Sequence, residues 1–423
     1  LSPGERFTDL SVEYTRDTQQ MESAILELLL TYDPSTLTPP QRISCNALKW
    51  YLGIRERGHD YTDYKYLVNP VWGLQNWPVD FLLELPVEDS QDADLYIARI
   101  SNLDVWMSQV VERLERSELA GALPPRYVIE ATISQLDSML NLQGENLPAV
   151  ERSEVYLDFR QKVQQMDDLD QEEKENLIER ARSEIEETFF PAYLLLRDQL
   201  QALSLDAVED PNEWQLPGGA EYYTYLLEYY TGTELEADQI HSLALGEVSR
   251  ILAELEQAAI DAGYPAGLSM QELNQRMDED TEITTGSSLR ERYEGILSAA
   301  DQVAGDYFDL RANAQVEIQV DRDAPLAYYR VPEPGSSGPG VMVINPDIHP
   351  HYANYNEHVL VHHESIPGHH TQLALAQELD LPNFQRYYMV NPYMQDYILQ
   401  SYPEGWALYA ESLAWEMGLY DGD

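Results

Sequence analysis

Cysteine is almost missing from this sequence. Cys45 is the only one in 423 residues, which excludes an internal disulfide and any cysteine-based zinc site. The compartment stays open on that ground, since an exported protein need not carry disulfides. Lysine is nearly as scarce: only Lys49, Lys65, Lys162 and Lys174 occur, and 26 basic residues stand against 75 acidic ones for a net charge of −49. A field of that sign repels nucleic acid and anionic lipid surfaces, so polyanion binding ranks last among candidate functions. No run of eighteen or more apolar residues appears, and nothing in the sequence reads as a membrane span. The opening residues LSPGERFTDL lack an initiator Met and a signal-peptide pattern, and read as a processed or trimmed start. The favoured location is secreted, periplasmic or lipoprotein-anchored rather than cytoplasmic. A carboxylate-rich, lysine-poor surface suits salty surroundings, where a Debye length of roughly 8 Å or less screens self-repulsion.

What is present is a globular composition, 43% hydrophobic, enough for a sizeable core. From Phe7 to about Leu310 the apolar spacing is helical. Helices are predicted over Leu10–Tyr32, Pro40–Arg57, Asp92–Glu118, Pro125–Leu142, Gln171–Leu203 with a kink or break at Pro191, Glu221–Thr231, Glu236–Ala262 and Ser288–Leu310. Thr38 and Ser90 are candidate N-caps and Gly263 a candidate C-terminal stop. The charged stretch Gln171–Glu187 reads as a solvated helix face. The tyrosines of EYYTYLLEYY, from Glu221, read as core with hydroxyls at the rim. After Leu310 the pattern changes to three short strand signals, Gln315–Val320, Leu326–Val331 and Gly340–Asn345, with the turn-rich PEPGSSGPG of Pro332–Gly340 as a hairpin connection or flap. Residues 1–312 thus form a helical region and 313–423 a small sheet plus helices. Together they read as one continuous domain, and the end at Asp423, without a clear cap, reads as C-terminally incomplete.

Seven of the nine histidines fall between His349 and His370, a clustering that solvated surface chemistry does not require. Within VLVHHESIPGHHTQ, Glu364 follows His363, and His369 and His370 follow a Pro-Gly pair. A catalytic zinc needs three imidazole or carboxylate ligands, an open position for water and a carboxylate base nearby. The usual helical arrangement sets two histidines four apart. Here His363 and His369 are six apart, about 120° around a straight helix, and His363 and His370 are separated by about 10 Å along its axis. Pro367 removes an N–H and its ring clashes with the His363 carbonyl, while Gly368 tolerates unusual backbone angles. The two are expected to force a bulge that carries His369 to the place of an i+4 ligand. His363 and His369 are therefore the expected zinc ligands and Glu364 the catalytic base. His370 and His362 remain alternative ligands. The third ligand is expected on a neighbouring helix in PEGWALYAE, where Glu404 and Glu411 lie seven apart on one face, among Trp406, Leu408 and Leu413. Glu404 is the ligand choice, and Glu411 is placed behind it to hold a histidine ring by its other N–H.

HESIPGHH followed by EGWALYAE resembles the bacterial domain-of-unknown-function family eight hundred eighty-five, whose members carry an HE-x-x-PGHH signature. Leu216–Arg250 is also similar to that family, so the likeness covers at least Leu216 to Gly418. The family in turn resembles gluzincin-type zinc peptidases, such as the thimet-type oligopeptidases and Taq-type carboxypeptidases. The resemblance implies a mainly α, zincin-like multi-helix fold with a small sheet next to the site helix. It also implies the same ligands and base. In those peptidases oxyanion-stabilising residues follow the third ligand, and here they would lie beyond Asp423.

The sequence thus predicts a zinc metallopeptidase that hydrolyses peptides through a metal-activated water. Its substrate would pair with Gly340–Asn345 as an edge strand, bringing Val341, Val343 and Asn345 to the substrate, with Tyr409 a further contact. The rivals are a non-catalytic zinc-containing scaffold that binds peptides or a partner, and a metal hydrolase of non-peptide amides or esters. Oligomeric state is left open.

Overall fold

The computed structural model describes residues 6–71, 73–140, 150–209, 216–280, 287–322, 324, 327–332, 338–345, 355–386 and 401–420. The fold is mainly helical with one small sheet. The chain divides into two compact units, Leu1–Tyr225 and Leu226–Asp423. The change of sequence pattern near residue 312 therefore lies inside the second unit.

The first unit is built from α1 (Val12–Leu30), α2 (Pro39–Arg57), α3 (Trp77–Glu84), α4 (Ser90–Ser101), α5 (Leu103–Leu119), α6 (Arg126–Met139), α7 (Glu154–Gln165), α8 (Gln171–Glu184) and α9 (Phe190–Asp206). From α4 to α9 the helices turn three- and four-spaced apolar positions inward, whereas α1 buries Glu22 and Leu26 and leaves Met21, Leu28 and Leu30 exposed. Leu103, Trp106, Met107, Val110 and Leu114 of α5 meet Tyr193, Leu196, Leu200 and Leu203 of α9 in one continuous core. Asp92–Glu118 is two helices, because Asn102 closes α4 and opens α5. Gln171–Leu203 breaks as expected: Pro191 cannot donate to the carbonyl four residues back, and a π turn over Ile185–Phe189 absorbs the mismatch before α9. α8 buries only Leu177 and Ala181, so its charges face water.

Two caps behave differently. At α2 the Thr38 backbone N–H donates to the Gln41 side chain at 3.0 Å. At α4 the cap is Asp89 rather than Ser90, its carboxylate accepting from the Gln91 and Asp92 N–H groups; an ionised acceptor binds the exposed amides more strongly than a hydroxyl.

α10 (Gly219–Thr231) carries the tyrosine run across the boundary between the units. Tyr222 is buried and its ring lies 4.8 Å from Tyr61 and 5.2 Å from Tyr64. Tyr229 is also buried, whereas Tyr230 is 48% exposed, so the run is core along one side only.

The second unit continues with α11 (Ala237–Asp261), α12 (Met270–Asp280) and α13 (Ser287–Tyr307). α11 ends as predicted, with Gly263 at φ 99°, a conformation open to glycine. Strands β1 (Val316–Val320), β2 (Tyr328–Arg330) and β3 (Gly340–Ile344) follow, then α14 (Tyr355–Glu364), α15 (His369–Glu378), α16 (Asn383–Arg386) and α17 (Ser401–Glu416). The sheet order is β1-β3-β2, with β3 parallel to β1 and antiparallel to β2. β3 is therefore the central strand, which corrects the expectation of an edge at Gly340–Asn345. Its apolar run GVMVI is that of a strand covered on both faces: Met342, Val343 and Ile344 are at most 3% exposed. Both of its edges are paired, so Val341 and Val343 offer no free edge to a peptide. Asn345 is spent on the Arg322 and Ala324 carbonyls. Of the Pro332–Gly340 connection, 333–337 lie outside the described residues, as do His349 and His351. Ile318, Met342 and Ile344 of the sheet pack with Leu289 and Tyr293 of α13 and Val361 of α14, and this core seats α14, the first of the histidine-bearing helices.

Candidate metal centre

α14 ends where its hydrogen bonding must. Pro367 has no N–H for the His363 carbonyl, and its ring would collide with that carbonyl in a continuing helix. The helix stops at Glu364, and a connection over 365–368, in which the Ile366–Pro367 peptide is cis, leads into α15. Gly368 is required by close approach: a Cβ there would lie 1.9 Å from the His363 carbonyl oxygen and 2.3 Å from that of His362. The expected single helix with a bulge is thus two helices folded back at a glycine contact. The consequence for the histidines is the expected one, since the rings of His363 and His369 come to 4.9 Å.

α17 completes the cluster. Its buried seam is Pro403, Ala407, Ala410 and Ala414, whereas Leu408 is 63% exposed. The inward face is thus a stripe of small residues, which allows α17 to approach closely. The Trp406 indole N–H donates to the Pro367 carbonyl at 2.9 Å, tying α17 to the connection between the histidine helices. Glu404 then faces both rings. One carboxylate oxygen is 3.5 Å from His363 Nε2 and the other 3.8 Å from His369 Nε2, and the three donor groups lie within 4.8 Å of one another. Donors bound at about 2.1 Å in a tetrahedron stand about 3.4 Å apart, so the set fits a small transition-metal cation with little adjustment. Glu411, one heptad on, accepts from His363 Nδ1 at 2.7 Å. That bond fixes the ring with Nε2 turned toward Glu404, the atom that would ligate a metal once its proton is displaced.

The electrostatics call for positive charge. The Glu404 and Glu411 carboxylates push the His363 imidazole up to about 10 against its burial. Burial holds His369 down to about 4, opposed by Glu404. His369 is neutral at pH 7, the state in which imidazole ligates a metal. Its Nδ1 is buried with no hydrogen-bond partner among the described residues. Glu364 is only 7% exposed. Burial pushes its carboxyl up to about 7, a neighbouring His363 and a hydrogen bond from the Tyr329 backbone opposing.

The other two histidines turn elsewhere. His362 Nδ1 donates to the Ile366 carbonyl at 2.9 Å, and its ring faces Tyr420 and His358. His370 has both nitrogens engaged, Nε2 with the Ala314 carbonyl at 3.1 Å and Nδ1 with the Tyr329 hydroxyl at 2.8 Å. Neither ring reaches the His363–His369–Glu404 cluster. Tyr409 is 53% exposed, with its ring 6.0 Å from that of Trp406. Sequence reasoning passed over Tyr329, 41 residues from His370, and no local pattern marks it. Gly340 was readable only as the start of a strand, but a Cβ there would lie 2.1 Å from the Tyr329 hydroxyl, so it makes room for that contact.

Fold and site together define a mainly helical protein in which two helix-borne histidines and a glutamate from a third helix converge. The chain belongs to the family described as "Bacterial protein of unknown function (DUF885)", matched over residues 3–423. Among solved structures, a "putative lipoprotein" from Colwellia psychrerythraea is similar at 23% identity and a TM-score of 0.84, over 99% of this chain and 73% of that one. A second "putative lipoprotein", of unknown function and from Shewanella oneidensis, is similar at 15% identity and a TM-score of 0.64, over 98% of this chain and 73% of that one. Identities this low speak for the fold alone. No curated protein matches the chain.

Proposed function

We propose that this chain is a zinc-dependent peptidase that hydrolyses peptide bonds with water as the nucleophile. The observation that carries the reading is the convergence of His363, His369 and Glu404 donors within 4.8 Å. Zinc held by these three would act as a Lewis acid and lower the pKa of a water to about 7. The remaining work falls to the chain. Glu411 fixes the His363 ring, and burial keeps His369 neutral. Glu364, buried beside the histidines, is placed to take a proton from water and deliver it to the leaving amine; burial raises its carboxyl and a bound cation would lower it again, favouring the ionised base.

β2 takes the substrate role first given to β3. It is an outer strand of the sheet, and its Tyr329 backbone is one of the groups acting on the Glu364 carboxyl, so an extended peptide added along it would run near the base. The HESIPGHH and EGWALYAE motifs point to the family the chain belongs to, and the expected resemblance of that family to gluzincin-type peptidases is part of this reading. The description of both structural neighbours as lipoproteins supports an exported location.

The test is zinc content with a base variant. Purified protein should hold one zinc, and Glu364→Gln should keep the metal while lowering peptide hydrolysis by ~10²–10⁴. Protein without zinc, or a variant of unchanged activity, overturns the proposal.

A further inference from the structure

The geometry points to Tyr329 as a positioning residue that holds the second histidine helix in register against the sheet, a role resting on the metal-centre reading above. Its backbone is one of the groups that hold the Glu364 carboxyl down, against its burial. Its hydroxyl reaches His370 Nδ1 at 2.8 Å in the first turn of α15, one residue from His369. A single strand residue therefore ties the sheet to the start of α15, just after the break at 365–368. The protons on this path are assigned by chemistry. The Ala314 carbonyl can only accept, so His370 carries its proton on Nε2 and donates there. In the neutral ring Nδ1 is then an acceptor, and the Tyr329 hydroxyl is the donor.

The path is anchored at its far end. Glu378, at the end of α15, accepts from the Asn313 and Ala314 backbone N–H groups at 2.8 Å and 3.0 Å. The segment entering β1 is thus held at both ends of α15, by His370 through Ala314 and by Glu378. Space for the hydroxyl comes from Gly340 on the neighbouring strand, where a Cβ would collide with the Tyr329 ring and oxygen. Tyr329 is largely buried, its hydroxyl kept protonated by that burial, and a phenol there with no acceptor would be costly. A device of this kind acts through the ligand's neighbours: losing it lets the His369 ring drift without removing any donor atom. Partners behind metal ligands typically change metal affinity 10–100-fold, and one acting through His370 belongs near the lower end.

Tyr329→Phe removes only the hydroxyl. Zinc affinity, measured by competition with a chromophoric chelator, should fall roughly tenfold. The visible absorption of the cobalt-substituted protein should shift in position or intensity, because the ligand field reports ring orientation. Gly340→Ala, which displaces the hydroxyl without deleting it, should move both readouts in the same direction. Unchanged affinity and an unchanged cobalt spectrum in Tyr329→Phe overturn the positioning role, even if its melting temperature falls, since that is what a merely structural tyrosine would give. A wild type that takes up no zinc overturns the metal-centre reading and this role with it.

Discussion

At the scale of single residues the cluster is a problem of charge. Glu364, Glu404 and Glu411 surround two imidazoles, and without a cation the cheapest compensation is a proton on His363, which its partners hold up to about 10. Zinc must displace that proton. Affinity is therefore expected to rise about tenfold per pH unit below that value, a slope that a chelator competition series from acid to neutral pH would read. The sign for the metal-free protein is the reverse. The His363 contribution to stability is fully present below its unfolded value of about 6.5 and is lost as pH rises through about 10. Glu411 acts only through the His363 ring, so Glu411→Ala should weaken zinc 10–100-fold while leaving all three donors in place; calorimetric titration of variant and wild type gives the ratio. Glu404 and Glu411 were legible in the sequence because a seven-residue spacing on a helix is already geometry. Tyr329 was not, because its contact depends on how a sheet is laid against a helix.

At the scale of elements, the break between α14 and α15 and the small-residue seam of α17 decide where the histidines lie. Gly368 has backbone on the other side of its missing side chain, so nothing can move aside cheaply. Gly368→Ala is expected to cost at least ~3 kcal/mol and to abolish zinc uptake, as chemical denaturation and metal analysis would record. Three helices were not read from the sequence: α12 buries Leu273 alone, α3 has Pro78 at its first turn and reads equally well as a loop, and α7 is short although Val155, Tyr156, Phe159 and Val163 give it a buried stripe. The three strand signals were all present, yet their order was not deducible. A run such as GVMVI states that both faces are covered, but not which neighbours pair with its edges.

At the scale of the whole molecule the net charge of −49 dominates. Self-repulsion of that sign is screened by salt, so the melting temperature should climb between dilute buffer and about 1 M sodium chloride. A flat melting curve across that range would remove the reading of a protein suited to salty surroundings. No described helix is long and apolar enough to cross a membrane, in line with the absence of long apolar runs.

The sequence by itself determined the helical class, the small sheet, the break at Pro367 and the candidate donor residues, because periodicity, proline chemistry and residue type are local properties. Only the tertiary structure decided that VLVHHESIPGHHTQ forms two helices rather than one bent one. It alone turned His362 and His370 away from the cluster and made β3 central. It also brought Tyr329 across to His370. Those outcomes depend on which surfaces meet over tens of residues, and side-chain identity constrains such meetings without specifying them.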